Sequence, residues 1–279
     1  VQRIKEGVNG KLKEIHNWTN RPVWPQYTQV PSETPAIPKG FDWDLWLGPE
    51  RERAYHPQYT HTVYRGWYDF GGGSMADMGN YSLWPVFTGL DLDAPLSAEA
   101  FASHTCGVVD NVSRPISNEW AYPHACMMRF KYAARGNRPA VDLFWYDGGM
   151  KPRLPEEVES QEVQMTREGI LFVGDKGSIM ASFHGRTPQL FAHGKVEPLS
   201  LPDGPGDDDK RNGWLAAMKG QSSPGSFLHA GPITDTFNLG TIALRARQKV
   251  EFDSKAMKIT NVKSANKFLR REYREGWEL

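Results

Sequence analysis

The chain is 279 residues long, enough for one large domain or two small ones and for a core that buries roughly three quarters of the unfolded surface. Its 33 Lys plus Arg balance 33 Asp plus Glu, which removes the global field that would hold nucleic acid or an anionic membrane surface. No apolar run approaches the roughly 18 residues of a membrane helix, and two cysteines, Cys106 and Cys126, are too few for a disulfide framework.

In chain order, residues 1–13 read as the tail of a helix closed by Gly7 and Gly10, residues that accept the left-handed cap conformation. The first five residues have neither a start methionine nor the apolar stretch of a signal, so the sequence is expected to begin inside a longer gene product, with residues 1–13 ending an inter-domain helix. The compartment stays open, with cytoplasm weighed slightly above export. Residues 12–19 alternate as a strand with one solvated face. From 21 to 60 the chain is rich in proline and aromatics, and Pro22, Pro25, Pro31, Pro35, Pro38, Pro49 and Pro57 make extended regular structure improbable there. Within it, residues 41–49 read as a short helical turn that pins aromatics to the core.

Gly71, Gly72 and Gly73 precede a helix expected through about Leu90, with Met75, Met78, Leu83 and Val86 near helical spacing. Strands follow at 98–109, 125–132, 141–146, 169–174, 178–183 and 189–192, separated by short turns that favour antiparallel meanders. Residues 203–211 read as an acidic surface loop, 212–219 and 232–248 as helices, 250–253 as a last strand and 266–274 as a last short helix. The second of those helices is expected to turn Phe237, Ile242 and Leu244 inward. The expected fold is therefore α+β: one domain over 1–279, a large, open, mainly antiparallel sheet with helices on one face.

No strand, Gly-x-Gly-x-x-Gly turn and helix occur together, so the sequence shows no nucleotide-binding unit. The 71–73 glycine run lacks the third spaced glycine of a phosphate cradle, and such a turn could equally bring backbone amides to a substrate oxygen. Histidines 16, 104, 124 and 184 lack metal-ligand spacing, so no metal site is expected. Ten Trp and ten Tyr suit a surface that is both apolar and hydrogen-bonding, such as a carbohydrate site or an interface, and equally suit an ordinary core.

The segment GGGSMADMGNY at 71–81 resembles the glycine-led Asp-x-x-x-His helix in the second domain of the glucose-fructose oxidoreductase, inositol dehydrogenase and MocA family. LKEIHNWTNRPVWPQ, DWDLWLGP, RGWYDFGGG, LFWYDGG, FVGDKGSI and ITNVKSANKFLRREYREGW agree with it in order, so the resemblance covers nearly the whole chain. It implies an oxidoreductase acting on a sugar, cyclitol or related glycoside, in which an N-terminal Rossmann domain, absent here, binds NAD or NADP. This chain is then the substrate-binding and oligomerising domain, expected to bind no cofactor alone, to be inactive alone, and to pair with other copies through its open sheet face. Asp77 matches the family aspartate, and Tyr81 stands where the histidine belongs, with Asn80 beside it.

That departure matters, because histidine titrates near neutrality while an unperturbed tyrosine, with a pKa of about 10, is a poor base at pH 7. Tyr81 is either an acid/base with a depressed pKa or a hydrogen-bond donor, and its i, i+4 spacing from Asp77 puts both on one helix face. Trp18, Arg21 and Trp24, repeated in kind by Arg65 and Trp67, combine rings with guanidinium groups suited to a pyranose face and its hydroxyls or a carboxylate, and Tyr146 and Asp147, ending a strand, could reach the same cleft. Two other readings remain: a stand-alone carbohydrate-binding protein that has lost the cofactor domain, and a cofactor-independent keto-sugar lyase or epimerase using Asp77 and Tyr81.

Overall fold

The computed structural model describes residues 1–21, 27–201, 207–223 and 225–278, with the backbone alone at 207–211. Helix α1 (Gln2–Lys5) gives way to a turn in which Gly7 and Gly10 both take φ of 76°. Strand β1 (Leu12–Trp18) then enters the middle of the molecule. A short helix α2 (Trp43–Leu47), capped by the Asp42 carboxylate on the Leu45 amide, and two 3-10 turns at Pro57–Tyr59 and Thr62–Gly66 lead to the long helix α3 (Gly73–Leu90). Strands β2 (Ser97–Ala102), β3 (Cys106–Val109), β4 (Val112–Pro115), β5 (Cys126–Tyr132) and β6 (Val141–Tyr146) follow. After α4 (Glu156–Glu159) come β7 (Gly169–Gly174), β8 (Ser178–Ser182), β9 (Gln189–Ala192) and β10 (Lys195–Pro198). Helices α5 (Asp207–Met218) and α6 (Phe227–Ala246), strands β11 (Val250–Asp253) and β12 (Lys258–Ile259), and a 3-10 turn at Lys263–Phe268 complete the chain.

Among the described residues ten strands form one open sheet in the order β10-β9-β8-β7-β1-β6-β5-β2-β11-β12, with only β1 and β6 parallel. This is the expected α+β architecture. Helices α3 and α6 pack on one face, over a core in which Ile15, Leu83, Phe130, Leu143, Trp145 and Ala243 are fully buried. The other face carries a smaller cluster of Trp18, Tyr146, Val158, Leu171 and Phe191, roofed by Leu154, Val163 and Met165 from the α4 segment. Beyond that roof, Arg129 bridges Glu99 at 3.2 Å and Asp142 at 2.5 Å, and Phe101 is exposed. No helix among the described residues is long and apolar enough to cross a membrane.

Five sequence expectations need correction. Strand β1 is not half-solvated: it lies between β6 and β7 with His16 and Asn17 buried, because each polar side chain finds a partner inside the protein. The expected strand at 98–109 breaks after Ala102, and β3 and β4 form a separate exposed hairpin, turned by Asp110 and Asn111 at φ of 52° and 61°. Residues 207–211 are the start of α5 rather than loop, while 202–206 lie outside the described residues. Helix α6 begins at Phe227 and absorbs Pro232 within its second turn, ending before Arg247 in the left-handed conformation. The final helix is the 3-10 turn ending at Phe268. Beyond it the chain is held by Arg271 on Glu50 at 3.3 Å and by Arg274 on Asp44 at 2.6 Å and Glu52 at 3.2 Å.

Candidate functional site

The site is built where the end of β1 meets the start of α3. Thr19 continues β1 by donating its amide to Tyr146 O at 3.0 Å, and its hydroxyl donates to Glu168 Oε1 at 2.7 Å. Arg21 grips the same carboxylate, Nη2 to Oε2 at 2.8 Å and Nε to Oε1, and its carbonyl accepts from the Ser74 hydroxyl at 2.7 Å. The loop after β1 is thereby fastened to the first turn of α3. Burial opposes ionisation of Glu168, yet the hydrogen bonds from Arg21 and Thr19 hold its carboxyl below the usual value. The Glu168 hydrogen bond is the main force raising Arg21, with smaller contributions from the nearby Asp77 and Tyr81.

The glycine run is required by close approach. A Cβ on Gly71 would lie 2.4 Å from the Arg65 backbone, and one on Gly73, at φ of 65°, would lie 2.5 Å from the Tyr122 ring. The run therefore presses residues 62–66 against the start of α3, and Arg65 Nε comes within 3.2 Å of Asp77 Oδ1. Both side chains stay about a third exposed. Tyr81, one turn on, is 61 % exposed, so its phenol stands open to solvent beside Asp77. Asn80 is exposed and donates its side-chain amide to Ala76 O at 3.1 Å. His184, at the turn after β8, stands edge-on to Tyr81 with ring centroids 6.2 Å apart. No local sequence signal brings this histidine to α3.

Arg21, Arg65, Asp77, Asn80 and Tyr81 thus gather around one face of α3. Three other expected contributors do not join them. Trp18 is 1 % exposed and donates its indole N–H to Thr166 O at 3.1 Å on the far face of the sheet. Trp67, also 1 % exposed, donates to Gln58 O at 2.9 Å and stacks on Tyr27 with centroids 4.2 Å apart. Tyr146 belongs to the far-face cluster, its hydroxyl 3.2 Å from His16 Nδ1 and pushed up to about 12 by burial. None of these three rings offers α3 a free face, because each polar tip is already satisfied inside the fold. Trp24 lies outside the described residues.

A cavity of about 310 Å³ lies at the foot of α3, lined by Asn20, Ser74, Tyr122, His124, Cys126 and Asp147 among others. Asp147 is buried and accepts from Cys126 N at 2.7 Å, Trp145 Nε1 at 3.0 Å and Cys126 Sγ at 3.3 Å. Burial pushes its carboxyl up despite those three donors, and burial, with the neighbouring Asp147, also pushes the Cys126 thiol well up, which disfavours its thiolate. Among the described residues no three His, Cys, Asp or Glu side chains are grouped to hold a metal ion. The Cβ directions of Gly71 and Gly73 are filled by the Arg65 backbone and the Tyr122 ring, so both positions require glycine for packing.

A family model described as "Oxidoreductase family, C-terminal alpha/beta domain" matches residues 9–131. No curated protein matches the chain. Similar solved structures include UDP-N-acetylglucosamine 3-dehydrogenase GnnA from Acidithiobacillus ferrooxidans, at 10% identity and TM-score 0.43, covering 88% of this chain and 57% of that one. A levoglucosan dehydrogenase complexed with NADH and L-sorbose gives 12% identity, TM-score 0.46 and coverage of 91% and 62%. An NAD binding oxidoreductase from Klebsiella pneumoniae gives 11% identity, TM-score 0.47 and coverage of 91% and 62%. The chain spans less than two thirds of the length of each of these three structures.

Proposed function

We propose that this chain, which over residues 9–131 carries the C-terminal α/β domain of the glucose-fructose oxidoreductase, inositol dehydrogenase and MocA type, is the substrate-binding part of an NAD(P)-dependent oxidoreductase acting on a sugar, cyclitol or related glycoside. The observation that carries this reading is the α3 face, where a partly exposed Asp77 meets Arg65, Tyr81 stands open to solvent, and Arg21 lies within electrostatic reach of both. The Asp77 side chain accepts a hydrogen bond from a substrate hydroxyl, and the Arg65 contact at 3.2 Å orients the group that does so. Tyr81 supplies a phenolic O–H to the same or the neighbouring hydroxyl, in position to donate or take its proton. The 71–73 glycine run lacks the third spaced glycine of a dinucleotide cradle, and we assign dinucleotide binding to a separate domain of the parent protein.

Calorimetry of the chain with a panel of pyranoses and cyclitols, and with NAD and NADP, tests the reading. A polyol that binds, and binds at least tenfold more weakly to Asp77→Asn, supports it; micromolar binding of either dinucleotide to this chain contradicts the division of labour.

We also assign self-association to the far sheet face, beyond the α4 roof, where Phe101 is exposed beside the Glu99–Arg129–Asp142 bridge. Sedimentation at micromolar concentration is expected to show a dimer or larger, and Phe101→Glu to return it to about 31.5 kDa. A wild-type chain that already sediments as a monomer overturns the assignment.

A further inference from the structure

A second cavity, about 410 Å³, opens beside the candidate site, between α1, α3 and the β7–β8 hairpin. Val86, Ile170, Phe172 and Ile179 form much of its wall, so it offers few hydrogen bonds to a sugar hydroxyl and suits apolar matter. The Ser82 hydroxyl at its edge is already committed to Asn17 Oδ1 at 2.5 Å.

Two features join this hollow to the α3 face. Asp77, Tyr81 and Pro85 follow one another at i, i+4 and i+8, so they form one stripe along α3, and Pro85 at the end of the stripe lines the cavity. His184 lines the same cavity and stands edge-on to Tyr81, with ring centroids 6.2 Å apart. Tyr81, Pro85 and His184 are all exposed, so the path from carboxylate and phenol to the apolar hollow is open to solvent.

We propose that the substrate held at Asp77 and Tyr81 bears an apolar substituent, an alkyl or aryl aglycone or a short acyl chain, and that this substituent lies in the cavity beyond His184 and Pro85. The proposal rests on reading the Asp77–Tyr81 face as a sugar site and narrows it to glycosides or sugar esters. Size permits it, since an apolar cavity of about 150 Å³ is enough to hold benzene. Each methylene moved from water into such a wall raises affinity about fourfold.

Calorimetry of the full chain with methyl and hexyl β-D-glucopyranoside, on wild type, Asp77→Asn and Ala181→Phe, tests the proposal; Ala181 lines the cavity, and its phenylalanine fills it. Ile179→Phe serves as a second filling variant should Ala181→Phe fail to fold. The hexyl glycoside is expected to bind at least tenfold tighter than the methyl glycoside, the filling variant to remove that advantage and leave the methyl glycoside unchanged, and Asp77→Asn to weaken both alike. Equal affinity of the two glycosides, or a chain advantage that survives filling, overturns the proposal while Asp77→Asn still reports on the sugar site. If Asp77→Asn weakens neither glycoside, the sugar reading falls and this inference with it.

Discussion

Trp145→Ala is expected to cost the domain about 3–5 kcal/mol, the largest stability loss considered. The indole has no exposed surface and sits in the main core on the same sheet face as Ile15, Phe130 and Leu143, so its removal leaves a cavity that rigid neighbours cannot fill. It also removes the N–H that reaches Asp147 Oδ2 at 3.0 Å, and a buried carboxylate stripped of a donor adds to the loss. Trp145→Phe separates the two effects, since it keeps most of the packing and deletes only the donor, for a cost of about 1–3 kcal/mol. Its pH dependence has a definite sign. Burial raises Asp147 above the unfolded value of 3.8, and the Trp145 bond works against that rise, so the Phe variant raises the carboxyl further. Below 3.8 the group is protonated in both the folded and unfolded states, and the difference between the proteins from this source vanishes. As pH climbs through the folded value the native state must ionise a buried acid, and the Phe variant loses progressively more stability than wild type. Urea midpoints at pH 3 and pH 7, with unchanged slope, measure this. A cost below about 1 kcal/mol for Trp145→Ala would mean that the sheet and helix core is not packed as described.

On the proposed oxidoreductase reading, Tyr81→Phe in the parent protein is expected to lower turnover about 10²-fold or more with the Michaelis constant nearly kept, the scale of a lost proton-transfer partner. Asp77→Asn removes the charge that orients the hydroxyl and frees Arg65 from its 3.2 Å contact, so affinity and turnover fall together. If Tyr81 only binds, the Phe variant raises the Michaelis constant and leaves turnover alone. Tyr81→His restores the side chain that the family resemblance places there, and a redox site should tolerate it. Retention of full turnover and affinity by both Asp77→Asn and Tyr81→Phe, with only stability reduced, would show that chemistry lies elsewhere.

The parts of this molecule that are legible from sequence are those whose reasons are local. Helix α3 announces itself by the glycine run and by apolar residues at helical spacing, and the i, i+4 relation of Asp77 and Tyr81 follows from helix geometry alone. Strand β1 misleads because His16 and Asn17 look solvated in sequence. In the fold His16 stacks on Phe144 with centroids 4.7 Å apart and meets Glu14 at 2.9 Å, while Asn17 donates to Gly169 O at 2.9 Å. Polar character there marks a satisfied interior, and only the partners, distant in sequence, reveal it.

The aromatic residues misled in the opposite direction. Trp18 and Trp67 have the amphipathic rings of a sugar platform, but backbone carbonyls take their N–H groups and the rings turn inward. Tyr146 ends its strand as expected, yet strand alternation sends it to the face away from α3. Asp110 and Asn111, by contrast, are residue types that tolerate positive φ, and they carried an available hairpin signal between Val109 and Val112. The placement of His184 against Tyr81 depends on how the β8 turn meets α3, which no spacing in the sequence encodes.

Binding of a sugar-like ligand on the face of α3 around Asp77 and Tyr81 can be read by backbone amide chemical-shift mapping of the assigned chain, titrated to tens of millimolar with the tightest-binding polyol of the calorimetric panel. Shifts are expected to concentrate at Arg21, Arg65, Asp77, Asn80, Tyr81 and His184, to saturate together with one dissociation constant and to be abolished by Asp77→Asn. Shifts confined to the far sheet face around Trp18 and Tyr146, or a titration that moves no amide of α3, would contradict it.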